Sequence, residues 1–402
     1  MTIRLVTNKN SKHCGQYWIR PQTSVHGKLI SAPVHYAETK SKARKIEADL
    51  IDQIKTGHDF NTGSKYLPQA LSEWIAKQIK MERWSPASIK TWHYTEKMVH
   101  CYLGGVKVRN CDEDTIREFI TTYAREHHAS ITTHSTASKL LQQLRTYFLT
   151  LEGDVIVKSP VPKRPIDYFF RKDKQSITKE KYAMTDQEFQ AFRQAIQNDL
   201  NQIPIQRWVV RMALWVEAET GMRPQEIQAL KLSNLTQDEG HWVFRINDSY
   251  SELTKGLNGH LKARRKGESR LTPPITQQLY DQLQIFKQKQ EEFIKDKGLQ
   301  TASDLLFLNL TDYRLARLGY PVTQRSMNDM LKELCRRIGV NNGDLPLSCY
   351  TLRTTCGTRL ARLGDYSYAC NRLGNSLAVY MRYYVKTFNT GYSGLMDRYL
   401  SM

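Results

Sequence analysis

Between Val155 and Lys181 the chain changes character. The stretch VIVKSPVPKRPIDYFFRKDKQSITKEK carries Pro160, Pro162 and Pro165 among many lysines, and its composition reads as an interdomain linker. In a basic chain such a segment can lie along a phosphate backbone, or it can simply be solvated. A linker at this place asks a chain of 402 residues to fold as more than one body, each with a core of its own.

Ahead of the linker two patterns follow one another. Ile3-Arg4-Leu5-Val6, Tyr17-Trp18-Ile19-Arg20 and Lys28-Leu29-Ile30 are short β-rich runs separated by Asn, Gly and Pro turn signals. Thr39 to Ile54 then has helical period, with Ala43, Ile46, Ala48, Leu50, Ile51 and Ile54 on or near one face and Gly57 beyond it as a stop. Three strands need the helix over one sheet face, and the other face is left free. Tyr17, Trp18, Arg20 and Lys28 on it could enter a DNA groove or form an ordinary solvated surface. After Asn61-Thr62-Gly63, residues 65 to 154 read as helices throughout: Leu67 to Met81, a helix opened by Ser85-Pro86, one capped by Asp112 or Asp114, and Thr136 to Leu151. His127, His128 and His134 lie near a loop without thiolate or carboxylate partners at ligand spacing, and read as surface residues.

Beyond the linker, helices are expected over Thr185 to Asn198, Gln206 to Ala218 and Pro224 to Lys231. A β-hairpin should run from Trp242 to Ile246 through the basic turn Lys262 to Arg270 into Leu271, with helices from there to the end. Fifty-nine Lys plus Arg against 40 Asp plus Glu give a formal charge of +19, the electrostatic footprint of a nucleic-acid binder; a merely soluble basic protein is the bland alternative. No stretch reaches the roughly 18 apolar residues that span a bilayer, and MTIRLVTNKNSK lacks the apolar core of a signal peptide, so a cytosolic location is expected. Seven cysteines include no CxxC pair, which points to buried thiols rather than a zinc site or disulfide framework.

Chemistry concentrates in the last region. Arg223 follows Thr220-Gly221 and precedes Pro224, so a rigid turn would project its guanidinium, a group able to hold two phosphate oxygens. Arg353 is expected near the start of a helix over Thr354 to Leu363, where anions are favoured. All eleven histidines stand at or before His260, so any chemistry beyond it runs without imidazole.

TGMRPQEIQALKLSNL, YTLRTTCGTRLARLG and LGNSLAVYMRYYVK, in that order, resemble the catalytic domain of the tyrosine recombinase, or phage-integrase, family. That family places its first arginine in TGxRxxE, its second in HxLRHTxAT and its nucleophile in LGHxxxxxxxxY. The resemblance covers the third region, and more loosely the helical unit and N-terminal module. It implies a multidomain, mainly α chain with small β elements. Residues 1–60 would be an arm-type DNA-binding module of three-stranded sheet plus helix, and 65–154 a helical core-binding domain. The basic linker would be 155–181, and 182–402 a mixed α/β catalytic domain whose C-terminal tail is exchanged between protomers.

Carried over residue by residue, Arg223 and Arg353 would clamp the scissile phosphate with Glu226 as buttress. Tyr384 would be the nucleophile, with Tyr383 the alternative one residue earlier. Lys262 would be the general acid, with Lys266 the alternative. Tyr350 and Asn375 stand where the family usually has histidine, and histidine or tryptophan. Tyrosine is a poor general base at neutral pH and asparagine can donate to a phosphate but exchanges no proton, so a slower enzyme is expected. The resemblance also implies double-stranded DNA attachment sites as substrate and a homotetramer on two duplexes. It leaves room for an accessory DNA-bending or directionality factor, and calls for no cofactor, metal or ATP. A type IB topoisomerase, a telomere resolvase and a non-catalytic DNA-binding protein of the same fold are the rivals.

Overall fold

A computed structural model describes residues 2–25, 28–55, 62–176, 181–262 and 265–385 of the chain. It divides into two compact units, Met1–Thr178 and Lys179–Met402.

The first unit opens with five short strands, β1 (Ile3–Leu5), β2 (Tyr17–Ile19), β3 (Gln22–Val25), β4 (Lys28–Ser31) and β5 (His35–Ala37), followed by helix α1 (Lys40–Lys55). The sheet is three-stranded, antiparallel, in the order β1-β2-β5, while β3 and β4 form a separate hairpin. Lys28–Ser31 is therefore not the third strand expected; β5 takes that place. Ile19, Ala37 and Ala43 make the core between sheet and helix, with Ile3, Tyr17 and Ile46 packed against it. Alternation puts Arg4, Trp18 and Tyr36, paired across the three strands, on the opposite face. Of the residues expected there, Trp18 faces outward, under the Arg4 guanidinium at 4.3 Å. Tyr17 instead packs on the helix side, and Ala48 is exposed rather than part of the helix's apolar face. Gly57 lies outside the described residues.

Four helices follow, α2 (Leu67–Lys80), α3 (Pro86–Leu103), α4 (Glu113–Glu126) and α5 (Thr136–Leu149), with a short α6 (Pro165–Phe169). Ser85, Asp112 and Ser135 cap α3, α4 and α5 by accepting from Ser88, Thr115 and Ser138 backbone N–H groups. Leu71, Ile75, Val99, Ile120, Leu144 and Phe148 are among the side chains of one shared core. Val161, Ile166 and Phe169 are buried in that same core. The first half of the expected linker is thus part of the helical unit. Val161, between the first two prolines, and Ile166 and Phe169, after the last, carry it back onto the helices.

In the second unit Thr185 and Glu188 form a reciprocal cap at the start of α7 (Asp186–Leu200). Then come α8 (Ile205–Thr220) and α9 (Pro224–Gln228). The strands β6 (Leu235–Asp238), β7 (His241–Ile246), β8 (Tyr250–Ser251), β9 (Gly256–Leu257) and β10 (Arg270–Leu271) precede α10 (Gln277–Asp296), α11 (Tyr313–Arg317), α12 (Gln324–Arg337), α13 (Cys349–Ala361), α14 (Tyr366–Leu373) and α15 (Leu377–Tyr383). Helix α8 is buried nearly all round, Arg211, Glu217 and Thr220 included, and α7, α10, α12 and α13 pack about it. The expected single hairpin is a three-stranded antiparallel sheet, β10-β7-β6, with a separate β8-β9 hairpin between β7 and β10. Helix α13 begins at Cys349, so Arg353 sits in its second turn and not at its N-terminus. No helix among the described residues is long and apolar enough to cross a membrane. The C-terminal tail expected to pass between protomers, from residue 386 on, lies outside the described residues.

Candidate active site

Four chain segments converge on one buried cluster of charge in the second unit. Helix α8 ends at Gly221, which adopts φ +60 and returns its N–H to the Glu217 carbonyl at 2.8 Å. A β-carbon there would lie 2.8 Å from Leu373 Cδ2 and 3.0 Å from Cys356 Cβ, so both the conformation and the close approach call for glycine. Two residues on, Arg223 stands just before α9, with Pro224 fixing the first turn. Glu226, in that turn, accepts from the Arg223 backbone N–H at 2.8 Å and from Arg223 Nη1 at 2.8 Å.

Glu226 has a second cation. Arg270 Nη2 donates to it at 2.6 Å, and both side chains are almost fully buried. Burial raises the Glu226 pKa, but the charges of Arg270, Arg223 and Arg353 outweigh that and hold the carboxyl below its ordinary value. For Arg270 burial is the larger influence, and it is lowered to about 10 while Glu226 opposes the shift; it stays charged at neutral pH. Arg270 was read from sequence as the end of a basic turn. It pairs across the sheet with the buried Ile246 and shares its face, a register that the sequence does not announce.

Arg353 reaches the cluster from α13. Its Nη1 donates to the Gly221 carbonyl at 2.6 Å, and Nη2 to the Leu373 carbonyl at 2.7 Å and to Asn375 Oδ1 at 3.0 Å. Its Nε donates to the Tyr384 hydroxyl at 3.2 Å. Arg223 Nη2 donates to the Gly374 carbonyl at 3.1 Å and to the same Asn375 Oδ1 at 3.3 Å. Asn375 thus bridges the two arginines through its oxygen, while its Nδ2 is buried without a partner. The sequence expectation was a donor to phosphate, and in this state the donating end faces away from both guanidinium groups.

The ring of Tyr384 lies on the backbone of α13 at Gly357, against Tyr380, whose hydroxyl donates to the Gly357 carbonyl at 2.7 Å. A β-carbon at Gly357 would come within 2.5 Å of the Tyr384 ring. Tyr383 points elsewhere: its ring meets the Lys181 ammonium at 5.0 Å. Tyr350, half-buried, has its pKa raised above the ordinary value of 10 chiefly by burial, with Arg223 and Arg353 opposing. At neutral pH it is a donor and no base. Glu217 is fully buried, and burial pushes its carboxyl well above the ordinary carboxylate range, with the Arg353 charge opposing. Glu226 makes ion pairs with Arg223 and Arg270, and among the described residues Arg353 makes none, which leaves the cluster short of negative charge.

Lys262 and Lys266 are exposed on either side of residues 263–264, which lie outside the described residues. Among the described residues no hydrogen bond joins either lysine to Arg223, Arg353 or Tyr384. The structure brings together Arg223, Glu226, Arg353, Asn375 and Tyr384, with Tyr350 on the adjoining turn of α13.

The sequence model of the phage integrase family matches residues 183–389, just over half of the chain. The chain belongs to this family. It is a tyrosine recombinase. Among solved structures, this integrase-family chain is similar to the Tn1549 transposon integrase in complex with transposon right end DNA, at 19% identity and a TM-score of 0.62, over 82% of this chain and 98% of that one. It is also similar to the XerH site-specific recombinase bound to a palindromic difH substrate, at 17% identity and a TM-score of 0.56, over 89% of each chain. A lambda integrase dimer bound to a COC′ core site gives 12% identity and a TM-score of 0.51 over 94% of each. These likenesses establish the recombinase fold. No curated protein sequence matches the chain significantly.

Proposed function

We propose that this chain is a site-specific recombinase of a mobile genetic element, and that it cuts and rejoins double-stranded DNA through a 3′-phosphotyrosine on Tyr384. The observation that carries the reading is the convergence of Arg223, Arg353 and the Tyr384 hydroxyl within one hydrogen-bonded cluster in which positive groups outnumber the single paired carboxylate, Glu226. A phosphate is the anion such a pair of guanidinium groups recognises. The Arg353 Nε–H aims the phenol oxygen beside the place where that phosphate would bind.

In the proposed reaction the Tyr384 oxygen attacks phosphorus and gives its proton to water, the bond from phosphorus to the 5′-oxygen breaks, and the departing oxygen takes a proton from Lys262, or from Lys266. The freed 5′-hydroxyl of one duplex then attacks the phosphotyrosine of the other, so bond energy is conserved in the covalent link. Arg223 and Arg353 stabilise the charge that builds on the pentavalent phosphate. Glu226 and Arg270 hold Arg223 in place, and Tyr350 donates a hydrogen bond.

The N-terminal module is proposed to bind arm-type DNA and the helical unit the core site, on a homotetramer spanning two duplexes and linked by the C-terminal tails. An accessory DNA-bending or directionality factor and a cytoplasmic, nucleoid-associated location belong to the same reading. The solved relatives named above, in complex with transposon ends and recombination sites, support it.

The test is covalent trapping on a nicked suicide duplex built from the DNA end adjoining the coding sequence, in EDTA. Wild type and Tyr383→Phe are expected to give a denaturation-resistant adduct, and Tyr384→Phe none. Loss in Tyr383→Phe alone would shift the nucleophile by one residue. Tight binding without any adduct would leave a non-catalytic DNA-binding protein. Strand exchange between two duplexes separates a recombinase from a type IB topoisomerase.

A further inference from the structure

Lys181 is the first residue described in the second unit, and its side chain lies over two tyrosines that adjoin residues of the candidate active site in the chain. Its ammonium lies 5.5 Å from the centre of the Tyr350 ring and 5.0 Å from that of Tyr383. The Tyr383 ring carries a second cation, the Arg382 guanidinium at 5.5 Å. Tyr350 is the second residue of α13, one turn before Arg353, and Tyr383 ends α15 beside Tyr384.

Two cations on one aromatic ring repel each other, and among the described residues no carboxylate forms an ion pair with Lys181 or Arg382. Arg223 and Arg353 add two more positive groups nearby. An exposed lysine would ordinarily extend into water, where its ammonium is best hydrated. Here it is drawn over two phenol rings, a weak attraction of the cation–π kind that holds it at the rim of a site already short of negative charge. What completes such an arrangement is an anion placed between the rings and the arginines.

We propose that Lys181 is a further DNA-binding residue of the cleavage site, and that its ammonium moves from the Tyr350 and Tyr383 rings onto a backbone phosphate next to the scissile one. The proposal rests on the reading of the site as a DNA-cleaving one. Tyr350 and Tyr383 act as the rail that keeps the lysine at hand before DNA arrives. With the phosphate bound, the charge of Lys181 holds the strand against the face from which Tyr384 attacks.

The experiment compares wild type with Lys181→Met, which keeps the length and apolar stem but loses the charge, and Lys181→Arg. Binding of a fluorescent duplex of arbitrary sequence is measured across a salt series, and single-turnover cleavage on the nicked suicide duplex. Loss of one phosphate contact reduces the slope of log K against log salt by about 1. Lys181→Met is expected to show that reduction together with about a 10-fold slower adduct formation, and Lys181→Arg to recover the slope and most of the rate. An unchanged slope with Lys181→Met would overturn the proposal whatever the rate does, because a lysine that only supports the tyrosines changes the rate alone. The salt series reads Lys181 even if wild type forms no adduct, and that outcome would count against the cleavage reading by itself.

Discussion

Gly357 shows how a residue without a side chain can decide where a reactive one lies. The Tyr384 ring rests on its Cα, and a methyl group there would sit 2.5 Å from Cδ1 and 2.8 Å from Cγ of that ring. Replacing glycine by alanine inside a helix gains about 1 kcal/mol of propensity, while overpacking costs about 1–3 kcal/mol, so Gly357→Ala should lose at most about 2 kcal/mol of stability and still fold. The phenol, however, must leave its seat. Displacement of a reacting group by an ångström costs about 10²-fold in rate, and adduct formation by Gly357→Ala should fall by that order while duplex binding is retained. Equal loss of binding and of adduct would mean that the glycine serves only the packing of α13. Arg223 and Arg353 were legible from sequence because each lies in a short segment of recognisable spacing. Gly357, Arg270 and Lys181 act through contacts with residues far away in the chain, and no local pattern announces them.

At the scale of elements, the segment after Val155 teaches the same lesson in packing. Its prolines and lysines give a linker's composition, yet Ile166 is 2% and Phe169 7% exposed within the core of the helical unit. Burial of an apolar side chain in a shared core contributes what a solvated linker residue does not. Ile166→Ala and Phe169→Ala should each destabilise the first unit by about 2–5 kcal/mol, read as an early unfolding transition by circular dichroism, whereas substitution in a solvated linker changes stability by less than about 0.5 kcal/mol. An effect at the smaller figure would return the segment to the linker it resembles. The long helices were readable because a 3.6-residue apolar period repeats over several turns and polar caps mark their starts, as at Ser85, Asp112 and Thr185. The strand His35–Ala37 was not, because three residues are too few for alternation to register and its place is set by pairing with Tyr17–Ile19.

Across the whole molecule, a formal charge of +19 makes DNA binding strong and salt-dependent but carries no information about which unit binds where. The candidate chemistry lies in the second unit alone, with Arg223, Arg353, Asn375 and Tyr384 all beyond Lys179. The three-stranded sheet of the first unit presents Arg4, Trp18 and Tyr36 on the face away from α1, a cation and two aromatic rings suited to phosphate and groove contacts. If that face reads DNA away from the cut, deletion of residues 1–60 separates two activities. Adduct formation on a short suicide duplex, which contains only the cleavage site, should stay within about 3-fold of the full chain, since phosphate contacts set affinity and the module makes none on that site. Recombination between full-length attachment sites should fall at least about 10-fold, because the second contact that raises local concentration is gone. Undiminished recombination by the deleted chain would remove the arm-binding role from the module. Loss of adduct on the short duplex would show instead that the module takes part in cleavage itself.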